Sequence, residues 1–199
     1  KWWENDGDEH FTEHTIDDDF DDVVSVYAID IDGDGDVDVL GAARDELNGD
    51  EIRWWENDGS ESFTKHAIGW GEYDADVDDP TLHSVNDVYA TDVDGDGDVD
   101  VLASGCELCR FLGTELQHSL SYDIAWFENN GDESFTKHSI AGGFAGATSI
   151  YATDVDGDGD VDVLGSSNHE NTIAWWENDG SQSFIKYTID DDFDDAVSV

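Results

Sequence analysis

A chain of 199 residues is long enough to bury a sizeable core, and eight Trp, nine Phe, no Met and one Pro indicate a β-rich interior packed with aromatic rings. Its 52 acidic residues face only seven basic ones, a formal net charge of −45 that repels nucleic acid and anionic membrane surfaces and so excludes both as partners. No helical periodicity, membrane span, lipidation motif or signal peptide is visible, although a leader could precede a chain whose first residues already belong to a repeat.

Aligned on itself, the chain is one array over 1–199 built from a repeated unit of four short strands, a to d. Residues 1–22 hold only strands c and d of a unit, from Trp2 to Ile16. The first whole unit, 23–68, runs through strand a (VVSVYAID, 23–30), strand b (VDVLGAA, 37–43), strand c (EIRWWENDG, 51–59) and strand d (ESFTKHAI, 61–68). The second, 86–140, repeats these as NDVYATD, VDVLASG, DIAWFENNG and ESFTKHSI, and the third, 147–189, as ATSIYATD, VDVLGSS, TIAWWENDG and QSFIKYTI. A partial strand a, Ala196 to Val199, ends the stretch 190–199. Alternating β-branched residues mark strands a and b, and an Asn-Asp-Gly or Asn-Gly turn closes the c–d hairpin.

The a–b link carries the chemistry. The run DxDGDGDVD starts at Asp30, Asp92 and Asp154, a constant spacing of 62 residues. Acidic side chains alternate along each run, with glycines where a backbone wrapping an ion needs positive φ. An oxygen-only ligand set suits calcium, a hard cation taking six to eight oxygens. Side-chain ligands are assigned to Asp30, Asp32, Asp34 and Asp38, with Asp36 acting through its carbonyl. The equivalents are Asp92, Asp94, Asp96, Asp98 and Asp100, then Asp154, Asp156, Asp158, Asp160 and Asp162, the fourth of each set again using its carbonyl. Clustered carboxylates repel by about 1 kcal/mol per close pair even in water, so a dication relieves the loop. Three dications bring six positive charges and leave the chain at −39. This is no EF-hand: position 12 is Gly41, Ala103 or Gly165, none with a side-chain oxygen, and strands rather than helices flank the loop.

Consecutive strand residues face opposite sides, so the doublets Trp54–Trp55, Trp126–Phe127 and Trp175–Trp176 place a ring on each face of their sheet. Both faces must then be covered. A radial stack of blades does this and a two-layer sandwich does not, so the expected fold is an all-β propeller of four-stranded antiparallel blades, three complete, with partial blade strands at both termini.

SIYATDVDGDGDVDVL followed by IAWWENDGSQSF resembles the FG-GAP or VCBS repeats of the integrin α-subunit propeller, over nearly the whole chain. The resemblance implies an extracellular, calcium-stabilised propeller whose aspartates, those named above, are the ligands. It also implies a binding or structural role, since relatives serve in adhesion, as fungal lectins and as non-catalytic modules of large secreted proteins.

Residues 1–26 match 174–199 at an offset of 173, which leaves three readings: a fragment of a larger ring, a ring closed by an incomplete blade, or one period of a longer array or filament. Continuation beyond the window is favoured, and unpaired strand edges at the ends are expected to recruit a neighbouring chain or repeat. Antiparallel order puts a–b and c–d links on one face, calcium's face, and b–c and d–a links on the other. Insertions at 69–85 and 106–122 fall together on that second face, where Trp70, Tyr73, His83, Arg110, Phe111 and His118 are the candidates for contact with a protein or glycan partner. Cys106 and Cys109 form a lone CELC, too few ligands for zinc and without the βαβ setting of a redox motif. A local disulfide in an oxidising compartment is expected instead.

Catalysis is not expected. His14, His66 and His138 recur at one strand-d position, with Tyr187 in the last copy, and a side chain repeated by blade is structural. No nucleophile elbow, phosphate loop or HExxH is present. The expected role is a structural or adhesive module of a secreted surface protein or filament; the alternatives are a lectin or an accessory domain of a secreted polysaccharide-active enzyme.

Overall fold

Repeating strand pairs, and no helix, carry the described residues of the chain. The computed structural model describes residues 1–44, 51–69, 82–109, 111–112, 115–116, 122–193 and 196–199; for 82–84, 106–109, 111–112, 115–116 and 122–123 it describes the backbone alone. Blade one comprises β3 (Val23–Ile29), β4 (Asp38–Ala43), β5 (Glu51–Asn57) and β6 (Phe63–Ala67), after a two-stranded hairpin of β1 (Trp2–Asn5) and β2 (Phe11–His14). Blade two comprises β7 (Leu82–Thr91), β8 (Asp100–Cys109), β11 (Tyr122–Asn129) and β12 (Phe135–Gly142), with a small hairpin of β9 (Phe111–Leu112) and β10 (Glu115–Leu116) inserted before β11. Blade three comprises β13 (Ala147–Thr153), β14 (Asp162–Ser167), β15 (Thr172–Asn178) and β16 (Phe184–Asp190). Every pairing is antiparallel, in the order a-b-c-d. Strand β7 adjoins both β3 and β13, so the first strands run side by side at the centre and the sheets radiate from them. Among the described residues no helix is long and apolar enough to cross a membrane.

The aromatic doublets do what alternation requires. Trp54 enters the core between blades one and two, where it joins Leu40, Ile52, Val88, Val101 and Phe127. Trp126, the other half of the Trp126–Phe127 doublet, faces the opposite way into the core between blades two and three, with Leu102, Ile124, Ile150, Val163 and Trp176. Each fully buried apolar side chain of this size contributes on the order of 2 kcal/mol, so the interfaces between blades are the main source of stability.

Strand b holds a size match. At Gly41 an added Cβ would lie 2.8 Å from Trp55 and 3.2 Å from Phe20, and at Gly165 it would lie 2.8 Å from Ile124 and 3.0 Å from Trp176. Phe20 and Phe144 meet Trp55 and Trp176 edge-on, at 4.9 and 5.0 Å. Blade two carries Ala103 at this position and the smaller Phe127 on strand c. Gly165→Ala is therefore expected to cost about 1–3 kcal/mol by overpacking, and Trp176→Phe in the same chain to recover part of it, as read from urea unfolding midpoints.

Three boundaries differ from the sequence reading. Strand a of blade two starts at Leu82 rather than 86, and strand b continues to Cys109, into the insertion that begins at 106. The cause is mutual pairing: Leu82 sits opposite Cys109 and Ser84 opposite Cys106, so the backbone groups of 82–85 and 105–109 satisfy one another. Third, Ala196–Val199 is not a strand. It is held instead by a hydrogen bond from the Thr148 hydroxyl to the Ala196 carbonyl, 3.0 Å, with Ala196 fully buried.

A register shift recurs in strand a, between Val23 and Ser25, Val85 and Asp87, and Ala147 and Ser149. Such bulges redirect the next side chain. Here they line up Ser25, Asp87 and Ser149 at the blade junctions, where Asp87 accepts from Ser25 Oγ (2.7 Å), Ser149 Oγ (3.0 Å) and the Ile150 N–H (3.1 Å).

Candidate metal centres

Each acidic loop joins strand a to strand b at one end of its blade. Gly33 and Gly35 take φ of 78° and 99°, Gly95 and Gly97 79° and 101°, and Gly157 and Gly159 84° and 103°, a left-handed geometry that lets the chain wrap inward. The first aspartate clasps the wrap: Asp30 accepts the N–H of Gly33 (2.8 Å) and of Gly35 (3.0 Å). Asp92 and Asp154 do the same for Gly95 and Gly97 and for Gly157 and Gly159. Short turns follow, with Asp32 accepting from Asp34 N–H and Asp34 from Asp36 N–H.

The ninth residue anchors the loop to the blade. Asp38, Asp100 and Asp162 are fully buried. Asp38 accepts the Ile31 N–H on one oxygen and the Asn57 N–H on the other, both at 2.8 Å. Asp100 takes Val93 and Asn129, and Asp162 takes Val155 and Asn178, in the same way.

Carboxylate oxygens gather in all three loops. Those of Asp30, Asp32 and Asp38 lie within 4.8 Å of one another, as do those of Asp92, Asp94 and Asp96 and those of Asp154, Asp156 and Asp162. Burial, reinforced by the neighbouring carboxylates, raises the pKa of Asp32, Asp38 and Asp94 above the usual value. For Asp100 burial pushes it up to about 6. An all-oxygen donor set in which burial and crowding both disfavour the charged form fits a hard divalent cation, which would reverse that balance.

The seventh side chain points elsewhere. Asp36 packs on Gly59 of the c–d turn, where an added Cβ would fall 2.4 Å from its Oδ2; the corresponding distances are 2.7 Å for Asp98 on Gly131 and 2.6 Å for Asp160 on Gly180. These carboxylates belong to none of the three clusters. The turn glycine is thus needed twice, for its positive φ and for the space a side chain would take.

The asparagine two residues beyond each doublet lies outside the ligand set read from the sequence, although its recurrence at 57, 129 and 178 is a usable signal. Asn129 Nδ2 donates to Val99 O in its own blade (3.2 Å) and to Ile31 O in the first loop (3.4 Å), and Asn178 Nδ2 reaches Val161 O and Val93 O likewise. One side chain therefore couples its own loop to the loop before it. Beside the loops, His66 and His138 stack on Trp54 and Trp126 and lie 2.9 and 2.7 Å from Glu56 and Glu128, while Tyr187 stacks on Trp175.

Of the other candidates, Trp70, Tyr73, Arg110 and His118 lie outside the described residues, and His83 and Phe111 are placed only by their backbone, in β7 and β9. Cys106 and Cys109 both belong to β8, and the sulfur atoms of the expected disulfide lie outside the described atoms.

The sequence profile of the FG-GAP-like repeat matches residues 30–103, 113–165 and 154–199, the first and last matches opening on the first aspartate of a loop. No curated protein matches the chain. Among solved structures, it is similar at 17% identity and a TM-score of 0.35 to one described as the structural basis of specific recognition of non-reducing terminal N-acetylglucosamine by an Agrocybe aegerita lectin. That likeness covers 85% of this chain and 52% of the other, so the chain spans about half that protein's length.

Proposed function

The chain belongs to the FG-GAP-like repeat family, and from that premise we propose that it is a calcium-stabilised, non-catalytic propeller module that works outside the cell in a structural or adhesive role. The observation that carries this reading is the threefold recurrence of a loop whose carboxylates converge within 4.8 Å. Calcium is scarce in the cytosol and plentiful outside it, which favours an extracellular setting for weak sites of this kind. The partners are neighbouring protein chains or repeats, for a net charge of −45 turns away nucleic acid and anionic membranes.

Isothermal titration of chelator-stripped protein is expected to find three calcium sites that magnesium fills poorly, because magnesium dehydrates reluctantly and demands stricter geometry. Fewer than three sites, or equal affinity for both ions, contradicts the assignment. Asp94→Ala is expected to weaken the second site at least about tenfold, roughly 1.4 kcal/mol, whereas Asp98→Ala, whose carboxylate leans on Gly131, should change it by less than about threefold.

A lectin is the second reading. It is favoured by a cleft between blades two and three lined by Asp94, Glu128, His138, Gln182 and Phe184, a mixture of polar and aromatic groups suited to a sugar. A glycan array separates the two: saturable binding to a defined sugar selects the lectin, and none leaves the structural role.

A further inference from the structure

Three tyrosines meet at the centre of the blade stack. Tyr27, Tyr89 and Tyr151 occupy the same position of strand a at the 62-residue spacing, one on each of β3, β7 and β13. The ring of Tyr89 lies 4.8 Å from that of Tyr27, tilted by 50°, and 5.0 Å from that of Tyr151, tilted by 57°. Tyr151 is 43% exposed and the other two are half-buried. Burial, then the adjacent hydroxyls of Tyr27 and Tyr151, raises the pKa of Tyr89, so its phenol is protonated at neutral pH. Tyr187, by contrast, stacks on Trp175 and not on another tyrosine.

Phenol oxidation has a defined outcome when two rings touch. Each ring gives up one electron and one proton, and the resulting phenoxyl radicals join through ring carbons ortho to the hydroxyls. Two rings held in contact couple intramolecularly, ahead of any encounter between separate molecules.

We propose that Tyr89 and Tyr151 form an oxidative cross-linking site, a dityrosine bond that welds the inner strands of blades two and three when the protein meets a hydroperoxide and a haem peroxidase. The exposed ring of Tyr151 is the entry point, and Tyr89 is the partner held against it. The two electrons and two protons lost by the phenols reduce one hydrogen peroxide to two waters. One carbon–carbon bond forms, and the hydrogens displaced from the two ortho carbons return to the phenol oxygens. The product is therefore lighter than the starting protein by two hydrogens, with no atom added.

The test treats the calcium-loaded protein with hydrogen peroxide and horseradish peroxidase, then follows dityrosine fluorescence, intact mass and the cross-linked peptides. A monomeric product two hydrogens lighter, whose digest joins the Tyr89 and Tyr151 peptides, is expected. Tyr89→Phe and Tyr151→Phe should each abolish it, while Tyr27→Phe and Tyr187→Phe should not. Both critical variants keep their rings, and an unchanged melting midpoint before oxidation verifies that the blades remain stacked. Absence of the cross-link in the wild type, its survival in Tyr151→Phe, a bond mapped to a different pair, or coupling only between molecules overturns the proposal.

Discussion

Removal of calcium at neutral pH is expected to lower the melting midpoint by about 20 °C. A ligand present at a hundredfold excess over its dissociation constant stabilises the fold by about 2.7 kcal/mol per site, and in a chain of this size each kcal/mol is worth roughly 2–4 °C. Three sites acting together therefore account for a shift of that order. Chelator melts followed by circular dichroism, with millimolar calcium added back, measure it. Coincident curves with and without chelator would remove the ion from its structural role.

Acid separates the two forms of the protein. With no cation bound, the folded pKa of Asp100 stands at about 6 against 3.8 for the free side chain. Between those values the folded state holds more protons than the unfolded one, so stability falls as pH rises through the window and returns on acidification from 7 toward 4. For a shift of this size the effect is about 3 kcal/mol at most from this residue. Asp38 and Asp94 are raised in the same sense and add to it. The calcium-loaded protein should show the opposite slope, because protons compete with the ion for the oxygens of Asp38 and Asp94, which belong to the clusters. Melting midpoints from pH 7 to pH 4, with chelator and with calcium, decide the matter: parallel profiles would contradict a shared carboxylate site.

Asp87→Ala is the second large effect, an expected loss of about 3–5 kcal/mol with no change in the calcium loops. Its carboxylate receives hydroxyl donors from Ser25 in blade one and Ser149 in blade three, and the N–H groups of Val88 and Ile150. Hydrogen bonds to a charged acceptor are worth about 1.5–3 kcal/mol each, and half-buried donors left unpaired add their desolvation cost. Asp87→Asn should recover part of the loss, since the amide keeps one acceptor oxygen. Urea unfolding measures the change, and hydrogen exchange locates it: protection should fall first in β3, β7 and β13. A variant as stable as wild type would mean that the inner strands are held by apolar packing alone.

Asp87 shows where sequence reading stops. Its equivalents are Ser25 and Ser149, so within the repeat it reads as an unremarkable exception. Only when β7 lies between β3 and β13 does the longer, charged side chain reach both neighbours. The same holds for Asn129, whose amide reaches the Ile31 carbonyl 98 residues away. The pairing of Gly165 with Trp176 and Phe144 is likewise set by facing surfaces. The side chain of Asp36 was legible only as a carboxylate, and the turn that receives it, at Gly59, is contributed by another hairpin. The insertions were visible as departures from the repeat, but their pairing into the extended β7–β8 ladder was not.

Sequence alone determined the repeat, the strand order, the acidic loops and the need for a ring on each side of every sheet. All of these follow from residues within one unit, where period-two alternation and glycine spacing act over a few bonds. The tertiary structure decided which blade face meets which, where Asp87 and Asn129 anchor, and that three tyrosines share the centre. Those contacts join residues about 60 to 100 positions apart, and no local spacing encodes the distance between two blades until burial of the aromatic doublets has stacked them.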